Sequence, residues 1–180
     1  MKQEYNRYTF REFLNLEAEE MDEYRSIGML MKPDSWGVSD FMDWPYITVK
    51  DIQATLSGDV NYEQIISIII ELTGMRVDKI LDKTWNDVFK FVKFVFRSIE
   101  RVNEVEKKLI YKPEPDEEQA GIEMYSQFGY FATIDRLAGG DLLKYDEVGQ
   151  IEFSVIFAKL MLSSVDAQFS KNYQKIIMKK

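Results

Sequence analysis

The sequence predicts an all-α protein made of two helix–turn–helix units, packed as a helical bundle with an irregular aromatic loop near the N-terminus. Three observations predict this fold class. Apolar residues recur at helical spacing in several segments, each longer than about ten residues. Glycines follow several of these segments, as they do at helix C-termini. Threonines precede others, with an acidic residue three positions later, which is the capping-box pattern of helix N-termini.

The composition of this 180-residue chain disfavours several classes of function. The absence of cysteine and histidine removes disulfides, thiolate metal sites, cysteine nucleophiles and histidine-based triads. A formal charge of −8 disfavours direct binding to nucleic acid or to an anionic membrane. No apolar run approaches the ~20 residues of a membrane span, and the polar N-terminus does not resemble a signal peptide. Without a phosphate loop or a catalytic motif, we expect no enzyme activity, no cofactor and no metal site.

Residues 1–60 are expected to hold a polar arm, an amphipathic helix and an aromatic loop. The arm, Met1–Tyr8, is expected to become ordered on a partner. Thr9 and Glu12 form a capping-box pattern for a helix that runs to about Ser26. One face of that helix is acidic, and is either a solvated face or a docking face for a basic partner or a cation. This face carries Glu17, Glu19, Glu20, Asp22 and Glu23.

The aromatic loop that follows contains Trp36, Phe41, Trp44 and Tyr46. These side chains either cover the core of the protein or stand exposed as anchors for a partner. Pro45 disfavours the helical conformation of the residue before it and so ends any helical turn there. Thr48 and Asp51 repeat the capping-box pattern and predict a short helix over Val49–Leu56.

The first helical unit is predicted at residues 61–111. Asn61 is expected to cap an isoleucine-rich helix that ends at Gly74. A short turn follows, and Thr84 with Asp87 predicts the start of a long helix. The apolar face of this helix carries Val88, Phe91, Val92, Val95, Ile99 and Val102. The side chains that extend past this face are Phe89, Phe94 and Phe96. We expect these three to contact the second half of the chain or another subunit.

Residues 112–120 contain two prolines and an acidic run, and are expected to form an exposed, extended linker. The second helical unit and a tail are predicted at residues 121–180. Its first helix, Gly121–Leu137, is expected to bury Met124, Phe128, Phe131, Ile134 and Leu137. The pair Gly139-Gly140 is expected to end this helix.

Two further elements complete the second unit. Asp141 is expected to cap a short turn over Leu142–Val148. A helix over Ile151–Phe169 is expected to bury Phe153, Ile156, Phe157, Leu160, Met161 and Val165. The tail after it carries Tyr173, Ile176 and Ile177 among lysines. This basic amphipathic segment packs either on its own chain or on a neighbouring acidic subunit.

The two helical units show a weak internal repeat. Leu72-Thr73-Gly74 corresponds to Leu137-Ala138-Gly139, and Asp78-Lys79-Ile80 corresponds to Asp146-Glu147-Val148 after a three-residue insertion. Val88 and Val92 then correspond to Ile156 and Leu160. Two such units could pack about a pseudo-twofold axis, although two unrelated amphipathic hairpins would give the same pattern.

Part of the sequence resembles a known class of proteins. The resemblance is carried by Ile65–Val95, by Leu137–Leu160, and by the segment before the first unit, Tyr46–Ile52. Their order of helix, Leu-x-Gly, short acidic turn and amphipathic helix resembles small helical morphogenesis proteins of tailed bacteriophages, tail assembly chaperones in particular. The resemblance implies a non-enzymatic protein that either holds another phage protein during assembly or is part of the virion. Of these two we favour a virion component, a neck or tail ring or connector subunit. It would bind other virion proteins through apolar helix faces and terminal arms.

The partners that the resemblance implies are other phage structural proteins and further copies of the chain in a homo-oligomeric ring. The chain would then be found in the host cytoplasm during assembly and afterwards in the virion. The alternatives are a tail assembly chaperone absent from the mature virion, a cellular helical adaptor, and an enzyme that uses carboxylates. The residues expected to bind protein are Trp36, Phe41, Trp44, Tyr46, Phe89, Phe94, Phe96, Tyr173, Ile176 and Ile177.

Overall fold

The computed structural model describes residues 8–109, 113 and 115–178, and this part of the chain is all-α, without a β-strand. The predicted fold class is therefore confirmed. The α-helices are α1 Phe10–Phe13, α2 Ala18–Met29, α3 Tyr46–Leu56, α4 Tyr62–Thr73, α5 Val77–Leu81, α6 Trp85–Glu106, α7 Pro115–Gln119, α8 Phe131–Ala138, α9 Tyr145–Gly149 and α10 Phe153–Ile177. Short 3-10 helices cover Phe41–Asp43, Lys107–Leu109, Ile122–Phe128 and Leu142–Lys144. Most of the predicted N-terminal arm, residues 1–7, lies outside the described residues.

The chain divides into two compact units whose borders differ from the predicted ones. Unit 1 comprises Met1–Asp40 and Asp51–Arg101, and unit 2 comprises Phe41–Lys50 and Val102–Lys180. The sequence predicted borders near residues 60 and 111 instead. The difference arises because the short segment Phe41–Lys50 pairs through its backbone with a segment far along the chain.

In unit 1 this kind of pairing joins the start of α1 to the start of α6. Thr9 and Thr84 form an isolated antiparallel bridge. The Phe10 N–H donates to the Lys83 carbonyl at 2.7 Å, and the Trp85 N–H donates to the Tyr8 carbonyl at 3.1 Å. The bridge therefore satisfies an N–H in the first turn of each helix, where no intrahelical acceptor exists.

Unit 2 has the same arrangement at the starts of α3 and α10. Pro45 and Glu152 form the antiparallel bridge. The Tyr46 N–H donates to the Ile151 carbonyl at 2.8 Å, and the Phe153 N–H donates to the Trp44 carbonyl at 2.8 Å. Proline suits this position, because its missing N–H lies at a helix start where no intrahelical bond is lost.

The core of unit 1 is an aromatic cluster around Trp85, which is fully buried at the start of α6. The Phe13 ring stacks on Trp85 with centroids 6.0 Å apart, and the Tyr24 ring meets Trp85 edge-on at 4.9 Å. Phe89 stands one turn further along α6 and meets both Phe13, at 5.5 Å, and Trp85, at 5.3 Å. The backbone of α2 reaches this cluster at Gly28, where a Cβ atom would lie 2.6 Å from the Phe89 ring.

Unit 2 is centred on Phe153, the first residue of α10, which is buried. Its ring contacts Phe41 at 5.8 Å and Tyr46 at 6.2 Å. Lys50 on α3 forms an ion pair with Glu106, the last residue of α6. The two side chains are only 14% and 24% exposed. Burial raises the pKa of the Tyr46 phenol to about 12, with the negative charge of Glu106 adding to the rise and a hydrogen bond with Thr133 opposing it.

The predicted helix ends that depend on local sequence are present. Thr9 and Glu12 form the full capping box of α1. Asn61 caps α4, and Gly74 ends α4 in the left-handed conformation with φ 64°. The Thr84 hydroxyl accepts a hydrogen bond from the Asp87 N–H at 3.2 Å.

The predicted N-terminal helix is interrupted and continues further than expected. α1 ends at Phe13, where the Asn15 side chain donates to the Arg11 carbonyl at 2.8 Å. Such a side-chain bond competes with the helical backbone pattern. The second part, α2, then extends to Met29 rather than to Ser26.

The second predicted start signal, Thr48 with Asp51, is wrong. α3 begins at Tyr46, because the Pro45 carbonyl accepts the first helical bond from the Val49 N–H at 3.0 Å. Thr48 therefore lies within the first turn of the helix and does not cap it.

The predicted helix Gly121–Leu137 is also corrected. Gly129 has φ 51° and ψ −132°, a conformation open almost only to glycine, and it separates the 3-10 helix Ile122–Phe128 from α8. The predicted core residues Met124, Phe128 and Phe131 are consequently exposed by 61%, 54% and 51%.

Two predictions on the C-terminal half need smaller corrections. Part of the expected extended linker is the helix α7, whose first residue is Pro115. Proline is well tolerated there, and Asp116, Glu117 and Glu118 in the first turn favour the helix dipole. The last helix extends past Phe169 to Ile177, and Val165, expected in the core, is exposed.

The predicted repeat has a counterpart in the order of elements. In each unit a helix ends at a left-handed glycine, Gly74 or Gly139, and a short helical segment leads to a bridge residue and a long helix. The corresponding residues Ile80 and Val148 are both buried. A pseudo-twofold packing of the units remains a prediction.

The contact between Gly28 and Phe89 gives a first testable prediction. Gly28→Ala should lower the free energy of unfolding by about 1 kcal/mol, because overpacking costs about 1–3 kcal/mol and replacing a helical glycine recovers about 1 kcal/mol. Urea unfolding measures the change. In a Phe89→Leu background the same substitution should become neutral or stabilising. An equal loss in both backgrounds would show that the clash with the Phe89 ring is not the cause.

The buried Tyr46 phenol gives a second prediction. Because its folded-state pKa is raised, its contribution to stability is complete below pH 10 and is lost as the pH rises towards 12. Relative to Tyr46→Phe, the wild-type chain should lose about 1.4 kcal/mol of unfolding free energy between pH 8 and pH 11. Urea unfolding of both proteins at the two pH values checks this. A difference that does not change with pH would contradict the assignment.

Candidate protein-binding surfaces

The described residues were compared with the requirements of a metal site and of a cavity. Residues 8–109, 113 and 115–178 contain no group of three or more acidic side chains placed to hold a metal ion. An apolar hollow in unit 1 is lined by Leu56, Ile65, Ile69, Phe91, Val95 and Phe96. This hollow is partly open, and its volume of about 10 Å³ is close to the least that holds one water molecule. Among these same residues, no helix has the length and apolar character needed to cross a membrane.

Three of the predicted binding residues are buried within unit 2. Phe41, Trp44 and Tyr46 are exposed by 1%, 3% and 3%. Phe41 and Tyr46 contact Phe153, and the carbonyl of Trp44 accepts the hydrogen bond that begins α10. In this conformation they form core, as the first of the two sequence-based alternatives expected, and they offer almost no surface to a partner.

Trp36 covers the side of α6 in unit 1 and is half-buried. Its ring stacks on Phe91 at 4.4 Å, and the Lys83 ammonium lies 4.5 Å above it. The backbone of Trp36 has φ 50°, an uncommon value for a non-glycine residue. The Asp34 carboxylate stabilises this turn by accepting a hydrogen bond from the Trp36 N–H at 3.0 Å.

The phenylalanines that were expected to extend past the core of α6 are used differently. Phe89 and Phe94 are half-buried and contact aromatic rings of unit 1, Phe94 at 5.9 Å from Phe91. Phe89 therefore does not need another subunit to cover it. Phe96 is 38% exposed and forms part of the rim of the apolar hollow.

The C-terminal half of α10 carries the predicted residues that are exposed. Tyr173, Ile176 and Ile177 are exposed by 55%, 59% and 53%. Val165 and Phe169 in the same half of the helix are also exposed, as is Leu162 just before it. Val165, which the sequence assigned to the core, is 60% exposed.

A second apolar surface of unit 2 was not predicted. It comprises Met124, Tyr125, Phe128 and Phe131, all more than half exposed. The first three lie on the 3-10 helix Ile122–Phe128, which is longer than 3-10 helices usually are. The signal in the sequence was Gly129 in the middle of the predicted helix, whose positive φ in the structure prevents one continuous helix.

The acidic face of α2 remains open to either of its two interpretations. Glu17, Glu19, Asp22 and Glu23 are exposed. Asp22 forms an ion pair with Arg25 at 2.8 Å, and Arg25 also donates to the Tyr62 hydroxyl. The hydrogen bond with Tyr62 raises the pKa of Arg25.

The chain matches no protein-family model, no curated protein and no solved structure.

The contrast between buried and exposed phenylalanines gives a third prediction. Phe128→Ala should change the free energy of unfolding by less than about 0.5 kcal/mol, because the ring is largely in solvent. The same substitution at Phe153 should cost about 3–5 kcal/mol, because it leaves a cavity in the core. Urea unfolding of the two variants gives the comparison. A large loss for Phe128→Ala would mean that this surface is needed for folding.

Proposed function

We propose that this chain is a non-enzymatic structural protein that binds other proteins through exposed apolar side chains of unit 2. The observation that supports the proposal is the exposure of large apolar residues on two elements, the 3-10 helix Ile122–Phe128 and the C-terminal half of α10. Several large exposed apolar side chains close together along one element are typical of segments that bind other proteins.

The free energy gained by burying these side chains, compared with the cost of association, favours binding. Phe128 and Leu162 are 54% and 55% exposed, so burying the exposed part of one such side chain contributes about 0.8–1.5 kcal/mol, half of the value for a full side chain. Several such side chains together exceed the cost of association, which is at least about 4 kcal/mol. The charged residues of the chain have a net negative sign, so a partner with a basic rim around an apolar centre would associate fastest.

The specific role that we propose is a neck or tail ring or connector subunit of a tailed bacteriophage. The support for this role is the sequence resemblance carried by Ile65–Val95 and Leu137–Leu160. The partners would be other phage structural proteins and further copies of this chain. A tail assembly chaperone that leaves before the virion is complete would use the same surfaces transiently, and a cellular adaptor would use them for a host protein.

Mass spectrometry distinguishes these roles and forms a fourth prediction. The chain should be present, in stoichiometric amounts, in purified particles of the virus that encodes it. Presence in the infected-cell lysate in complex with a tail protein, but not in particles, would select the chaperone instead. Recovery of the tagged chain with a single host protein, and with no phage protein, would overturn the phage role.

A matched pair of variants tests the surface itself. Phe128→Asp should abolish incorporation into particles, because a charge would be placed at the centre of the contact. Gln127→Asp adds the same charge to the neighbouring exposed residue and should leave incorporation unchanged. Equal incorporation of both variants would contradict a role for this surface.

A further inference from the structure

α10 carries an exposed apolar repeat with a period of seven residues. Val155, Leu162, Phe169 and Ile176 follow one another at this interval. They are exposed by 53%, 55%, 68% and 59%. A straight helix drifts by only about 20° per seven residues, so these four side chains share one side of α10. An exposed apolar side with this period is typical of a helix that packs along a partner helix.

A coiled coil also needs a second contact position, three residues after the first in each heptad. In α10 these positions are Ala158, Val165 and Asn172, and all are exposed. We call the seven residues from Val155 to Ile176 the heptad stripe, with Val155 and its repeats at position a and Ala158 and its repeats at position d. The stripe spans about 33 Å of helix, at 1.5 Å per residue.

The heptad stripe lies opposite the face of α10 that packs into unit 2. Phe153 and Ile156 on that inner face are buried, and Phe157 and Leu160 are half-buried. These residues occupy positions b, c and f of the heptad, which point away from the seam of a coiled coil. The same helix can therefore contribute to its own core and accept a second helix without changing its conformation.

Two charges flank the stripe at position e. Lys159 and Asp166 are one heptad apart and are both exposed. Neither forms an ion pair with another residue within the described part of the chain. In an antiparallel coiled coil the e positions of the two helices face each other, so these two opposite charges can pair between two copies of α10.

We propose that α10 binds α10 of a second copy of this chain as an antiparallel coiled coil whose twofold axis passes between Ser163 and Ser164. In this register Lys159 faces Asp166 of the partner subunit, and the twofold axis generates the same pair again. This inference rests on the proposed protein-binding function of unit 2. It identifies a second copy of the chain as the partner that binds the exposed side of α10.

Side-chain size supports the same register. Phe169 faces Ala158 of the partner subunit, and Leu162 faces Val165 of the partner subunit. A large residue thus meets a small one in the outer layer, which is the arrangement that fills a helix interface without overpacking. Asn172 faces Val155 of the partner subunit near the open end of the interface, where its amide can remain hydrated.

The parallel alternative lacks these complementarities. In a parallel pair, position e faces position g of the partner. Lys159 would then lie beside Ser154 of the partner subunit, and Asp166 would lie beside Met161 of the partner subunit. Neither charge would find an opposite charge, and Phe169 would have to face its own counterpart.

Cysteine cross-linking of the full chain tests the register, because the native sequence contains no cysteine. Val155→Cys combined with Asn172→Cys should give a disulfide-linked dimer under mild oxidation, seen on a non-reducing gel and mapped by mass spectrometry. The two positions lie about 26 Å apart along one helix, so the bond must join two chains. Val155→Cys alone should stay monomeric on that gel. Cross-linking of this single variant would indicate a parallel pair and overturn the proposal.

Charge exchange measured by sedimentation tests the pairing. Lys159→Glu should weaken dimerisation about tenfold, because two ion pairs become two repulsions. Lys159→Glu combined with Asp166→Lys should restore the wild-type dissociation constant to within about threefold. Gln174→Glu, on the outer side of the helix, is the control and should have no effect. Failure of the double variant to recover, or a wild-type chain that remains a monomer at high micromolar concentration, would overturn the proposal.

The failure of this inference is distinguishable from the failure of the proposed function. If the wild-type chain is monomeric but Phe128→Asp still abolishes incorporation into particles, the antiparallel pair is wrong and the protein-binding function stands. If the dimer forms as described but the chain binds neither phage nor host proteins, self-association is correct and the wider function is wrong.

Discussion

The structure depends on a pair of short backbone bridges, one in each unit. Each bridge joins the residue before an early helix to the residue before a long helix, at Thr9 with Thr84 and at Pro45 with Glu152. Two hydrogen bonds form at each bridge, and each contributes only about 0.5–1.5 kcal/mol net. Their larger effect is positional, because they set the first residues of α6 and α10. Trp85 and Phe153 stand at those first residues, and the aromatic cores form around them.

Local features of the fold could be predicted from the sequence, and the bridges could not. The ends of α4 at Asn61 and Gly74 follow from interactions within a few residues, which a capping residue or a left-handed glycine reveals. A bridge of one residue on each side has no periodic pattern, and its partners are far apart in the chain. The assignment of Phe41–Lys50 to unit 2 was missed for this reason, and the misplaced start of α3 follows from the same bridge.

The binding surfaces were predicted only in part, because an apolar face has the same helical spacing whether it is buried or exposed. The apolar side of α6 packs inside unit 1, whereas the heptad stripe of α10 has an equally regular pattern and lies in solvent. The period does not separate them, because Val88, Val95 and Val102 on the buried face of α6 also recur every seven residues. Phe128 was missed for another reason, since the conformation of Gly129 rotates the preceding segment out of the expected helix.

The interleaved order of the two units has a consequence for synthesis of the protein on the ribosome. All parts of unit 1 have been translated once Arg101 has been added, but the segment Phe41–Lys50 then still lacks the residues that cover it. Glu152 and Phe153 follow after roughly 3–10 s at ordinary elongation rates. During that interval Phe41, Trp44 and Tyr46 lack the residues of α10 that bury them in the finished fold. Truncation of the message before Glu152 would make that transient exposure permanent.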